Sequence, residues 1–182
     1  IMASLGFRTI DEMVGQYQCL TKREDLKFWK AKTVDLSAFL QKMDTELPLT
    51  KSEPQEDELV DSLSWKLIEA AQNAIENNGK CEAEFNIINT DRTVGTILSH
   101  ELTKIYKSEG MPEDALRFKF KGTAGQSFGA FCNKGITMKL EGDGNDYFGK
   151  GLSGGKLVVH PDRSSTFKAN ENSIIGNVAL YG

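Results

Sequence analysis

The chain has 182 residues, a formal net charge of −4 and a sequence pI near 5.3. Hydrophobic residues make up 39% and charged residues 26%, a composition that suits a globular protein with its own core. The acidic balance argues against a nucleic-acid-binding surface, and no apolar run approaches the ~20 residues that a membrane-spanning helix needs.

Residues 1–43 have helical patterns. Thr9 and Glu12 have the spacing of a capping box, and Gly15 is expected to end that helix within two turns. A second short helix is predicted over residues 36–43, where the apolar residues on one face are Leu36, Phe39, Leu40 and Met43. Because this segment is too small to form a core alone, we expect it to pack on other material.

An acidic stretch separates this segment from the rest. Residues 44–58 contain six acidic groups against Lys51 alone, and Pro48 and Pro54 interrupt them. Such a composition predicts a solvated linker, with an acidic docking patch as the alternative.

A helix–strand–helix segment follows. The first helix is predicted from Glu58 to Asn77, ended by Asn78 and Gly79, with an inward stripe of Leu59, Leu63, Leu67, Ala70 and Ala74. A strand with one solvent-exposed face is predicted at Cys81–Ile87. Thr90 or Asp91 can cap a second helix that reaches Lys107, with an inward face of Val94, Leu98, Leu102 and Ile105.

The remainder repeats short apolar strands about every twenty residues. From Gly122 onward the chain holds 12 of its 17 glycines. Leu116, Phe118 and Phe120 alternate with basic residues, and the same inward pattern is predicted for Ile136, Met138, Leu140, Val158 and Val178. Strands cut by glycine turns at a fixed interval predict a mainly β fold, a partial parallel β-helix with about three short strands per turn.

The ends of the chain also carry an expectation. It begins with Ile1 inside an apolar segment and stops at Gly182, directly after the strand-like residues 178–181. A solenoid normally closes with a capping element, so we expect this sequence to be a piece of something longer.

Several motifs resemble catalytic or binding signatures. Gly149–Gly154 spells GxGxxG, but a strand rather than a helix is predicted after it, so the glycines are interpreted as architectural. Gly144–Gly151 departs from a P-loop in the same way. Gly122–Gly129 is interpreted as a coil corner, and Asp143, Asn145 and Asp146 as residues that satisfy turn backbone.

The remaining candidate ligands are scattered. His100 and His160 lie sixty residues apart, and Cys19, Cys81 and Cys132 have no zinc or cluster spacing. The odd number of cysteines indicates reduced thiols in a cytosol-like compartment. We therefore predict no catalytic, cofactor-binding or metal-binding residue in this chain.

Five short sequence segments resemble those of a known family. The sequence resembles the C-terminal region of the glutamate synthase large subunit, in that family's order, at residues 5–15, 89–95, 122–131, 142–155 and 174–182. The acidic stretch 44–58 does not carry the resemblance.

The resemblance implies a division into three parts. Residues 1–43 are similar to the final helices of an FMN-binding synthase domain with its connector, and residues 44–58 form the linker. Residues 59–182 are similar to the terminal domain named for GXGXG repeats, a right-handed single-stranded parallel β-helix, here truncated at its C-terminus.

The resemblance also implies a function for the whole enzyme. Glutamate synthases make glutamate from glutamine-derived ammonia and 2-oxoglutarate by flavin-dependent reduction. FMN and a 3Fe-4S cluster are implied for the full-length parent, and FAD and NADPH for a partner subunit where the donor is a pyridine nucleotide. This piece holds none of those working parts, so its implied role is structural.

The implied partners are the amidotransferase and FMN synthase domains of the same chain and, in addition, a small electron-transfer subunit or ferredoxin. No nucleic acid or membrane is expected, and the implied compartment is the cytoplasm, or a plastid if the parent is plant or algal. Two alternatives stay open: a stand-alone β-helix scaffold module of another redox complex, and a nucleotide-binding enzyme that uses Gly149–Gly154.

Overall fold

The computed structural model describes residues 1–42 and 44–182, which form two compact units, Ile1–Glu56 and Asp57–Gly182. In chain order the elements are α1 (Met2–Leu5), α2 (Ile10–Met13), α3 (Trp29–Thr33), α4 (Leu63–Glu76), β1 (Cys81–Ile87), α5 (Thr96–Tyr106), β2 (Leu116–Ala124), β3 (Ile136–Gly144) and β4 (Lys156–His160), with 3-10 turns at Tyr17–Cys19 and Ala169–Glu171. Within the described ranges, every helix is too short or too polar to span a bilayer.

In the described residues of the first unit the helices are short. The predicted capping box is confirmed: the Glu12 amide donates to Thr9 Oγ1 at 3.2 Å, and the Thr9 amide donates to Glu12 Oε2 at 3.4 Å. The prediction of a helix over residues 36–43 is wrong, because residues 37–39 form a turn in which the Ser37 amide donates to the Asp35 carboxylate. A single helical turn without packing partners is not stable enough to propagate. Met43 lies outside the described residues.

Four parallel strands form one sheet in the order β1-β2-β3-β4. The predicted alternation is confirmed on β1, β2 and β3: Leu116, Phe118 and Phe120 are buried while their neighbours face outward, and the same holds on β3. The element list shows a mixed α/β fold, so the prediction of a mainly β fold is not supported. Each repeat contributes one strand, whereas about three short strands per turn were predicted. The β-helix itself is considered below.

Segments between the strands also stack. We call residues 89–95, 125–131, 145–151 and 176–181 the corner segments. Backbone hydrogen bonds of 2.8 to 2.9 Å link each to the next, for example from Gly129 to Val94, from Gly149 to Phe128 and from Leu180 to Phe148. The corner segments thus form a second ladder beside the sheet.

The core lies between the sheet, the corner segments and the two long helices. Its aromatic rings form a chain in which Phe120 contacts Phe128 edge-on at 5.1 Å and Phe128 stacks on Phe148 at 5.5 Å between ring centroids. Phe85 extends this chain to β1, 6.0 Å from Phe120. These contacts tie successive repeats together through side chains as well as backbone.

Helix α4 starts later than predicted. Its first residue is Leu63, because the Ser62 hydroxyl accepts from the Ser64 amide and caps the helix there. Leu59 therefore lies outside the helix and is 58% exposed, and Ala70 is also exposed. The buried face consists of Leu63, Ser64, Leu67, Ala71, Ala74 and Ile75.

Helix α5 also begins later than predicted, and it ends at Tyr106 with Lys107 as its C-cap, close to the predicted end. It begins at Thr96 after Gly95, and the Asp91 carboxylate instead accepts from the Ile88 amide at 2.8 Å. Val94, Leu98 and Leu102 are buried as predicted, but Ile105 is 56% exposed. Thr96 and Ser99 donate hydrogen bonds to the carbonyls of Ala130 and Phe131, so this helix is fixed to a corner segment through hydroxyl groups.

The prediction that the side chains of Val158 and Val178 point into the core is wrong. Asn133 bridges to Ser153, twenty residues on, but Thr137 pairs with Lys156, nineteen residues on. A slip of one residue turns every following side chain to the opposite face, so Val158 lies outward and is 40% exposed. Val178 belongs to a corner segment, with φ of 59° and 45% exposure.

Two glycines occupy matching places on adjacent strands. Gly122 pairs with Ile87, and Gly142 pairs with Gly122. Their φ angles are 131° and 144°, and a Cβ atom on Gly142 would overlap the Gly122 carbonyl oxygen. A Cβ on Gly122 would overlap the Ile87 carbonyl oxygen in the same way. Glycine is required here by the close approach of the backbones.

Gly142→Ala is therefore expected to lower the free energy of unfolding of the 182-residue chain by about 2–4 kcal/mol, because the obstructing atom is backbone and cannot move cheaply. Urea denaturation followed by circular dichroism measures this change. The control is Gly79→Ala, where the nearest atom to an added Cβ is Ala74 Cα at 3.6 Å. Equal losses in the two variants would contradict the stacking argument.

Candidate functional site

The GxGxxG loop, residues 149–154, belongs to a corner segment and its turn. The amides of residues 149–153 are already bonded: for example, Gly149 donates to Phe128, Gly151 to Tyr181 and Ser153 to Cys132. Strand β4 follows it at Lys156–His160. A dinucleotide-binding loop needs free amides at a helix N-terminus, so this geometry suits backbone stacking rather than a phosphate.

Asp143, Asn145 and Asp146, which could suggest a carboxylate site, each bond to a different residue instead of converging on one point. Asp143 accepts from the Thr123 hydroxyl at 2.8 Å, and Asn145 bonds to Asn89 at 2.9 Å. Asp146 Oδ1 accepts from the Asn177 backbone amide at 2.7 Å and from its side-chain nitrogen at 3.3 Å. Each side chain links one repeat to another, which is a stabilising role.

The cysteines do not fit an iron–sulfur cluster. Burial raises the pKa of the Cys132 thiol to about 12, and its sulfur lies 3.4 Å from that of Met138. The Cys81 thiol donates to the Ala70 carbonyl, and desolvation raises its pKa. A cluster needs several converging thiolates. Across residues 1–42 and 44–182, no group of three or more His, Cys, Asp or Glu side chains could hold a metal ion.

Charged side chains cluster on the outward side of the sheet. We call the outward-facing side chains of β1–β4 the outer face. Lys119 on β2 bonds to Glu82 and Glu84 on β1, each at 2.9 Å, and Glu84 and Glu82 together raise its pKa. A groove of about 530 Å³ crosses this face between Glu84, Lys121, Lys139 and Arg163.

A second cluster joins two repeats. Lys156 at the start of β4 contacts Glu113 at 2.6 Å and Asp114 at 3.1 Å, and Asp114 accepts from the Thr137 hydroxyl at 2.6 Å. The bond from Thr137, followed by that from Lys156, lowers the pKa of Asp114. Asp114 also has a left-handed φ of 59°.

Sequence reasoning did not find the outer-face clusters. The alternation on β1, β2 and β3 predicted which residues of those strands face outward, but the ion pairs are made between repeats and depend on register. His100 and His160 do not come together in a site either: His100 is exposed beside Glu101, and His160 Nδ1 lies 2.9 Å from the Pro161 carbonyl.

Comparison with known proteins places this architecture in a family. Residues 62–182 match the family model described as the GXGXG motif, and the chain therefore belongs to the GXGXG motif family. The match covers the sheet, the corner segments and both long helices.

Individual relatives match over the entire chain. It is 48% identical to glutamate synthase [NADH] of Schizosaccharomyces pombe and 45% identical to the glutamate synthase [NADPH] large chain of Bacillus subtilis. It is 37% identical to ferredoxin-dependent glutamate synthase 2 of Synechocystis. Each match covers 100% of this chain but only 9%, 12% and 12% of the respective relative, so the chain spans about a tenth of their length.

Asp114→Asn tests the cluster that joins the repeats. Since the pKa of Asp114 is lowered by folding, its stabilising effect is fully present above the ordinary value of 3.8 and is lost as pH falls through the folded value. The variant is therefore expected to melt below the unmodified chain at neutral pH, and the difference is expected to shrink in acid. Melting followed by circular dichroism across that range measures it.

The matched control is Asp61→Asn, which changes an exposed carboxylate in the same unit. A melting difference for Asp114→Asn that stays constant from neutral to acid pH would contradict the assignment.

Proposed function

We propose that this chain is a scaffold portion of a glutamate synthase, an oxidoreductase that makes glutamate from glutamine-derived ammonia and 2-oxoglutarate. The observation that carries the proposal is similarity, over all 182 residues of this chain, to NADH-, NADPH- and ferredoxin-dependent glutamate synthases, together with membership of the GXGXG motif family. The bonded glycine loops support a structural contribution, because their amides hold neighbouring backbone.

We further propose that the stacked repeats form a right-handed, single-stranded parallel β-helix. Support comes from the twenty-residue register of β2 and β3 and from the parallel ladder of corner segments. Equivalent corner positions share one left-handed conformation: φ is 56° at Thr93, 62° at Ser127, 59° at Tyr147 and 59° at Val178. A conformation that recurs at each turn is typical of a solenoid.

The domain assignment is part of the proposal. Residues 1–43 are assigned to the end of an FMN-binding synthase domain, residues 44–58 to a linker and residues 59–182 to the GXGXG domain. FMN and the 3Fe-4S cluster are assigned to other parts of the parent, in agreement with the poor fit of Cys81 and Cys132 to a cluster.

The partners follow from this assignment. The amidotransferase and FMN synthase domains of the same polypeptide are the proposed neighbours, with an electron-transfer subunit or ferredoxin as the donor. The cytoplasm is the proposed compartment.

Isolation of the native polypeptide with an antibody against this chain tests the proposal. We expect a protein roughly ten times as long, since the chain covers 9% to 12% of its relatives. It should form glutamate from glutamine and 2-oxoglutarate when supplied with NADH, NADPH or reduced ferredoxin. The purified 182-residue chain should form no glutamate and show no flavin absorption band.

The competing hypothesis is a stand-alone scaffold module of another redox complex. A native polypeptide close to 20.2 kDa, without glutamate-forming activity, would favour that module. Calorimetry with NAD(P) or ATP addresses the nucleotide-binding alternative. Saturable binding that Gly151→Val abolishes would overturn the structural interpretation of residues 149–154.

A further inference from the structure

We propose that Asn78 is a site of covalent modification, at which deamidation is controlled by the cap that ends helix α4. The chain contains one Asn-Gly dipeptide, Asn78–Gly79. Asparagine is among the thermolabile residues, and a glycine after it lets the backbone nitrogen reach the side-chain carbonyl because no Cβ obstructs the approach. The inference goes beyond the scaffold role proposed above and concerns the end of α4 alone.

Deamidation at this dipeptide depends on one atom, the backbone nitrogen of Gly79. That nitrogen loses its proton and attacks Cγ of Asn78, so that a new N–C bond closes a succinimide ring. The bond between Cγ and Nδ2 breaks, and ammonia leaves with the proton. Water then adds to either carbonyl of the ring and opens it, which gives aspartate or isoaspartate. Water is the only co-reactant, and nothing is oxidised or reduced.

In the folded chain this nitrogen already donates a hydrogen bond. Helix α4 ends at Glu76 with Asn77 as its C-cap, and the next residue, Asn78, has a left-handed φ of 49°. The Gly79 amide donates to the Ala74 carbonyl at 2.8 Å. This is the bond between the C″ and C3 residues of a Schellman motif, with asparagine at the left-handed position that glycine usually occupies. The proton that must leave is therefore held by the end of the helix.

Further hydrogen bonds hold the last turn of α4. The Asn77 amide donates to the Asn73 carbonyl at 3.2 Å, and the side-chain nitrogen of Asn77 donates to the same carbonyl at 3.0 Å. From α5, the Tyr106 hydroxyl donates to the Ile75 carbonyl. The side chains of Ala74 and Ile75 are buried in the core. Opening of the cap therefore works against packing as well as against hydrogen bonds.

These contacts make modification of Asn78 depend on local opening of the helix end. Asn78 is exposed, so water and hydroxide reach it in the folded chain, but the Gly79 nitrogen becomes available only when its bond to Ala74 breaks. Isoaspartate adds a methylene group to the backbone, and either product places a carboxylate beside the negative end of the helix dipole. Both changes oppose closing of the cap, so the modified chain does not regain the original helix end.

The test incubates the 182-residue chain at mildly alkaline pH, with and without guanidinium chloride, and follows deamidation by mass spectrometry of tryptic peptides. The peptide of residues 67–80 contains the site, and its fragmentation separates Asn78 from Asn73 and Asn77. We expect deamidation at Asn78 to be slower in the folded chain by about tenfold or more.

Hydrogen exchange of the Gly79 amide, measured by NMR on the unmodified chain, provides an independent comparison. Exchange and deamidation both require release of the same N–H group from Ala74. The factors by which folding slows the two reactions should therefore agree within about tenfold.

Two variants change the cap and the chemistry separately. Tyr106→Phe removes the bond to Ile75 and should accelerate deamidation of the folded chain by about threefold or more, with no change in guanidinium chloride. Its matched control is Tyr147→Phe, which changes an exposed tyrosine of a corner segment and should alter neither rate.

Gly79→Ala changes the chemistry instead. Its Cβ should slow deamidation in guanidinium chloride by about tenfold or more, because it obstructs the attacking nitrogen. The fold has room for this substitution, since the nearest atom to the added Cβ is Ala74 Cα at 3.6 Å.

Several results would overturn the proposal. Equal deamidation rates with and without guanidinium chloride would show that the cap does not protect Asn78, and no deamidation of the unfolded chain would show that it is not a modification site. Rapid exchange of the Gly79 amide beside slow deamidation would assign the protection to something other than the bond to Ala74. Equal effects of Tyr106→Phe and Tyr147→Phe on the folded chain would contradict the role of the helix end.

Discussion

Backbone stacked closely on backbone, repeat after repeat, is the constraint on which the rest of this fold depends. At Gly122 and Gly142 the strands approach so closely that a Cβ atom would meet the carbonyl oxygen of the preceding strand. Glycine at these places lets the strands keep their register, and the register in turn aligns the corner segments and the phenylalanine chain of the core.

The corner segments contain several residues with unfavourable backbone conformations. Ser127, Tyr147 and Val178 adopt left-handed φ angles that are unfavourable for residues with a Cβ, most of all for β-branched valine. Each corner is held by hydrogen bonds to its neighbours and, at Asp146, by two bonds to Asn177. Repeated strained corners with satisfied amides favour a backbone-stacking role over a phosphate-binding loop.

Prediction from sequence succeeded where the signal was local. The period-two alternation on β1, β2 and β3 determined which side chains are buried, and the capping box at Thr9 and Glu12 identified a helix start. Prediction failed where a change of one residue alters the register. No sequence signal near Val158 indicates that the spacing between paired residues falls from twenty to nineteen after Asn133. The same holds for Asp114, Lys156 and Lys139, whose surroundings come from other repeats. The glutamate synthase resemblance rested on five specific strings, and the relatives now match the entire chain.

Amide hydrogen exchange of the isotopically labelled chain, followed by NMR, tests the stacking claim most directly. If the corner segments form a true ladder, the amides of Gly129, Gly149 and Gly151 will exchange as slowly as those at the centres of β2 and β3, although they lie outside the strands. Rapid exchange at these three glycines, beside slow exchange in the strands, would show that the turns are ordinary loops and would contradict the account.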